Sequence, residues 1–172
     1  MAKSDSFFIR ATQNIDNNGN YYEGSIDLGA YVDALGKSVL RIHNIAVSFT
    51  DSTGRSADIV TGGTVAAAAQ FQLVTQTAAD IVLASTKSVI ASGIINAYRT
   101  KTGAGVADSV SDQFDNLPQL WTNGYLVAVD AIYLGGSATD KWDEDVYVTV
   151  TMECTVETMS QASAMALALS QQ

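Results

Sequence analysis

In residues 145–157 apolar and polar side chains alternate without a break. Val146, Val148, Val150, Met152, Cys154 and Val156 occupy one parity, and Tyr147, Thr149, Thr151, Glu153 and Thr155 the other. Successive side chains of a strand point to opposite faces, so this segment is a strand with one face in a core and the other against water. A helix would scatter the same apolar residues around its axis.

The remaining chain repeats the period of two in shorter runs. Residues 125–134 (Tyr-Leu-Val-Ala-Val-Asp-Ala-Ile-Tyr-Leu) are apolar on both parities, which predicts a central strand covered on both faces, with Asp130 as the misfit. Residues 38–49 carry Leu40 and Ile42 on one parity, then Ile45, Val47 and Phe49 on the other. A bulge near His43 and Asn44 makes that switch. Further strands are predicted at Phe7–Asn14, 22–28, 70–75 and 81–85, separated by turns at 16–20, 51–54, 61–63 and 134–137, where Gly, Asn and Asp tolerate positive φ. Residues 87–98 fit a strand or a short helix equally, with Gly93 weakening the helix. After Glu157 the Ala- and Met-rich tail, without a charge from Thr158 to Gln172, predicts a helix starting near Glu157 and Thr158. The expected fold is therefore all-β, an antiparallel β-sandwich of the jelly-roll type, with a short C-terminal helix. The chain divides into an arm or first strand at 1–15, a sandwich at 16–157 and a helical or exchanged tail at 158–172.

Composition narrows the function. The 172 residues include 47% hydrophobic but only 16% charged, a low charge for a soluble domain of this size and a sign of surface that becomes covered. One cysteine, Cys154, excludes an internal disulfide, and one histidine, His43, excludes any site needing two imidazoles. His43 sits between apolar neighbours and reads as structural rather than as a general base. Lys101-Thr102-Gly103 matches a box of penicillin-recognising serine enzymes, but no Ser-x-x-Lys accompanies it. The other nucleophile and phosphate motifs are absent, so the chain is read as non-enzymatic.

Two acid-rich segments are the metal candidates. Asp140, Asp143, Glu144 and Asp145 place four carboxylates in six residues, a set of hard oxygens suited to Ca²⁺, or else a solvated connection between strands. The segment Asp16-Asn17-Asn18-Gly19-Asn20 echoes a calcium loop, yet Tyr21 stands where such a loop needs glycine, and a hairpin turn explains the same residues. Residues 101–172 hold 2 basic and 10 acidic side chains, and no basic stripe is present, so direct nucleic-acid binding is not expected. The early cations Lys3, Arg10, Lys37 and Arg41 mark the one part that could face an anion. The N-terminal run is too short and too charged for a secretory signal, no apolar stretch is long enough to span a membrane, and synthesis in a cytoplasm is expected.

Loops such as Gly62-Gly63-Thr64-Val65-Ala66-Ala67-Ala68-Ala69 and 100–107 are poor at burying themselves and suit packing between copies. The segments Ile26-Asp27-Leu28-Gly29-Ala30-Tyr31-Val32, 39–49 and 146–156, followed by a helical end, resemble the single jelly-roll capsid proteins of small tailless viruses. The resemblance is one of pattern across most of the chain and transfers no functional residue. It implies a self-assembling coat subunit in a virion, with copies of itself as partner and divalent cations between subunits, which bears on the 140–145 acids. The expected contact residues are Phe7, Phe8 and Ile9 at the start, and Met159, Met165, Leu167 and Leu169 in the tail. Two other readings are a filament or tube built by terminal strand exchange in an extracellular assembly, and a carbohydrate-binding sandwich using Trp121, Trp142, Tyr21, Tyr22 and Tyr31 as sugar platforms.

Overall fold

The computed structural model describes residues 4–33, 37–100 and 107–172; the Lys101-Thr102-Gly103 match and most of the 100–107 loop lie outside them. Nine strands follow one another: β1 (Phe7–Asn14), β2 (Tyr22–Asp27), β3 (Ser38–Thr50), β4 (Val65–Val74), β5 (Val89–Arg99), β6 (Ser109–Asn116), β7 (Tyr125–Val127), β8 (Ala131–Ala138) and β9 (Tyr147–Thr158). A 3-10 turn at Pro118–Leu120 separates β6 from β7, and helix α1 (Gln161–Ser170) ends the chain.

The strands form two antiparallel sheets, β1-β9-β3-β7 and β2-β8-β4-β5-β6. Four pairs explain the order: β1 with β9, β2 with β8, β3 with β7 and β4 with β5. These are the rungs of one long antiparallel ribbon whose successive rungs alternate between sheets, joined by β3–β9 and β4–β8 pairing. A ribbon wrapped in this way is the eight-strand jelly roll, and β6 adds a ninth strand at the far edge of the second sheet.

The alternation that opened the sequence reading sets the core. Val146, Val148, Val150, Met152 and Cys154 are completely buried between the sheets. The bulge falls where the parity switch requires it: in the β3–β9 register Ile42 faces Cys154 and Asn44 faces Glu153, leaving His43 as the extra residue. Leu40, Ile42 and Ile45 are thereby all buried.

Several expectations are corrected. The run 125–134 is two strands in different sheets, and Asp130 marks the crossing, its carbonyl accepting the Leu28 N–H at 2.7 Å. Residues 81–85 are not a strand; Val82 N–H donates to the Gln72 side chain at 2.9 Å, and the segment lies over the outer face of β4 instead of joining a ladder. Residues 87–98 resolve as strand β5 because Gly93 lies against Phe71 and Phe114, where an added Cβ would stand 2.9 and 2.2 Å from ring carbons. The alanines 66–69 lie within β4, with Ala67 and Ala69 in the core, rather than in a loop between copies. Strand β6 was missed, since its residues are nearly all polar. The turn at 16–20 links strands of different sheets and is not a hairpin. Strand β9 runs through Thr158, so the helix starts later than expected, with Ser160 Oγ accepting the Ser163 N–H at 3.2 Å as its cap.

Candidate functional site

The surface features that could carry a contact begin with the sheet edges, because an unpaired strand edge is a template for another strand. One flank of the first sheet is closed by two glutamines. The Gln119 carboxamide takes the Ile45 N–H on Oε1 and donates Nε2–H to the Ile45 carbonyl, both at 3.0 Å, and so pairs with β3 as a neighbouring strand would. Gln171, 4% exposed, does the same for β7: its Oε1 accepts the Ala128 N–H at 3.0 Å and its Nε2 donates to the Leu126 carbonyl at 2.5 Å. Thr75 Oγ1 donates to the Gln171 carbonyl at 2.5 Å and anchors the chain end there.

Helix α1 seats the tail on this flank. Ala164 packs with Val39 and Ala128, and Met159 and Leu167 lie against them, whereas Met165 and Leu169 face outward. Beside the helix, Arg41 donates Nε–H to Glu157 Oε1 at 2.7 Å and Nη2–H to Glu157 Oε2 at 2.9 Å, in a largely buried fork that also reaches the Asn123 carbonyl. The Glu157 carboxylate raises the Arg41 pKa and holds its charge. Arg41 is thus engaged within the subunit and is not a free cation for an anionic partner.

The N-terminal contact residues split by parity. Phe7 and Ile9 pack on the core, with the Phe7 ring stacked on Tyr31 at 4.8 Å. Phe8 is 56% exposed, and the Arg10 guanidinium lies 5.6 Å from its ring centroid.

The four acids of 140–145 are not drawn together. Asp140 pairs with Lys141 at 3.0 Å, Asp145 accepts the Asn14 side-chain N–H at 2.9 Å, Glu144 reaches the Asp58 N–H at 3.5 Å, and Asp143 is tied through its backbone to the Asp58 carbonyl. Among the described residues no three His, Cys, Asp or Glu side chains gather at metal-ligand spacing. Two of the sugar platforms are engaged inside the subunit. Trp142 is buried and donates Nε1–H to the Ala68 carbonyl at 3.0 Å. The Tyr21 hydroxyl donates to Glu23 and accepts from Gln72, with its pKa pushed up to about 12, chiefly by burial. Trp121 is exposed, beside Leu83, on the groove described next.

Strand β6 is the feature that sequence reasoning missed. It forms the edge of the five-strand sheet, is exposed along most of its length and pairs with β5 on one side only among the described residues. Hollows flank it on both faces. A slot of about 190 Å³ lined by Phe49, Ile95, Ala97, Val110 and Trp142 lies on one side, and a groove of about 580 Å³ lined by Ile81, Leu83, Ile94 and Trp121 on the other. Val110 is 61% and Leu83 78% exposed. The only sequence signal for this site was Val110 and Phe114, four residues apart in a polar segment.

No family model matches the chain, and no curated protein matches it in sequence. Solved structures do match. VP1 of Trichodysplasia spinulosa-associated polyomavirus, solved in complex with GM1 oligosaccharide, superposes with a TM-score of 0.50 at 8% identity, covering 90% of this chain and 96% of that one. VP1 of Merkel cell polyomavirus as an unassembled pentamer (TM-score 0.39, 9% identity, 89% and 96% covered) and a structure of Desmodium yellow mottle tymovirus (0.32, 12%, 93% of each) are more distant. The structural neighbours are viral jelly-roll capsid proteins, and at this identity the likeness is one of fold.

Cys154 offers a direct check on the core. Its thiol is fully buried, and burial, with a smaller contribution from Glu153, pushes its pKa up to about 12. Only a thiolate reacts with a disulfide reagent. Native protein is therefore expected to show no labelling by Ellman's reagent at pH 8 over minutes, and one thiol per chain in denaturant. Rapid labelling in native buffer would contradict the packing of β9.

Proposed function

We propose that this chain is a self-assembling structural protein, the coat subunit of a viral capsid, acting through repeated contacts between copies. The observation that carries the reading is the wrapped-ribbon strand order, which covers 90% of the chain in common with a viral VP1. The surface supports it. Exposed Leu83 and Trp121 line one groove on a chain with few charges, a local apolar patch of the kind that marks a contact. The sugar-binding alternative loses one of its platforms, since Trp142 is buried.

Light scattering across a concentration series tests this reading. Mass rising cooperatively from the 18.1 kDa monomer to a defined large species is the expected result. A monomer at every concentration and ionic strength would overturn it.

A further inference from the structure

We infer that copies meet head to tail, the β6 edge of one subunit pairing with the Phe7–Arg10 half of β1 in a second copy; this rests on the self-assembly reading above. On the first sheet's β3/β7 flank, Gln119 caps Ile45 and Gln171 caps Leu126 and Ala128. On the opposite flank, the later half of β1 meets β2 at a corner where Gln13 Oε1 crowds Gly24, 2.4 Å from where a Cβ would stand. Among the described residues, β6 and the first half of β1 each pair on one side only.

These two edges complement each other in chemistry. A strand added to β6 lays its outward side chains against that edge, where the exposed Val110 borders an apolar hollow. Phe7 and Ile9 pack on their own core, so strand β1 presents Phe8 and Arg10 outward, and Phe8 is the side chain that covers the exposed Val110. Within its bounds β1 carries Arg10 and no acid, whereas β6 carries Asp112 and Asp115 and no cation. The strands stand at opposite ends of the sandwich, so one copy's β6 cannot meet its own β1, and the contact joins unlike patches. Such a contact closes into a ring when its rotation permits and otherwise propagates as a filament.

Charge reversal tests the pairing with the full chain. Arg10→Glu makes both edges acidic, and Asp112→Lys with Asp115→Lys makes both basic. These positions are exposed, so the fold should persist by circular dichroism. Each variant alone is expected to need roughly tenfold more protein to assemble, because attraction across the contact becomes repulsion, and an equimolar mixture should assemble at the wild-type concentration. If the wild type assembles while either variant assembles equally well, or the mixture stays as dispersed as its parts, this contact is overturned and self-assembly stands. A wild type that never assembles overturns the self-assembly reading, and this contact with it.

Discussion

Glu157→Ala unfolds with about 3–5 kcal/mol less stability than the wild type, because it strands the Arg41 guanidinium in a largely buried site with one carboxylate fewer. The residue pair is formed by geometry that the strands enforce. Val39 faces Glu157 and Arg41 faces Thr155 in the β3–β9 register, so Arg41 reaches diagonally across to Glu157 on the sheet's outer face. Arg41 also ties the 121–124 loop down through the Asn123 carbonyl. For a chain of this size the loss lowers Tm by roughly 10 °C. Replacing both partners, as Arg41→Leu with Glu157→Leu, should recover much of it, since no charge is then left unpaired. Urea melts at concentrations below assembly measure both, because assembly would add stability of its own. A loss under about 1 kcal/mol for Glu157→Ala would show the pair to be solvated.

Phe71→Ala is expected to cost a similar amount, about 3–5 kcal/mol, through the cavity it leaves. Phe71 is 1% exposed at the centre of a trio with Phe49 and Phe114, whose ring centroids lie 6.2–6.5 Å apart across the two sheets. Gly93 lies against it and offers no side chain of its own to the space. The same trio holds β6 to the sandwich through Phe114, so Phe71→Ala should also raise hydrogen exchange along β6 more than along β9. Urea unfolding and exchange together check this. Unchanged β6 protection would show that the edge strand is held by other means.

What the sequence disclosed follows from which residues answer to a local rule. Period two along 145–157 and the parity switch at His43 are enforced by burial on one face, so β9 and the β3 bulge were legible with their positions. The helix was legible from composition, but its start was misplaced because Glu157 is engaged by Arg41 inside a strand, a partner 116 residues away. The break at Asp130 and the placement of 81–85 over Gln72 depend on which sheet the chain joins next, which no local pattern records. Strand β6 was invisible for a physical reason: only Phe114 and Asn116 are even half-buried, so almost no alternation of burial is written into its residues. Of the expected contact residues, Phe8, Met165 and Leu169 stand outward, while Phe7, Ile9, Met159 and Leu167 pack on their own subunit. The closing glutamines were equally hidden, since a carboxamide that completes a strand edge looks in sequence like any surface glutamine.

The most direct test of the account is electron microscopy of the purified chain in negative stain, at a concentration where scattering shows growth. Closed particles of one diameter are the predicted result. Dispersed single subunits, or irregular aggregates without a repeat, would contradict it.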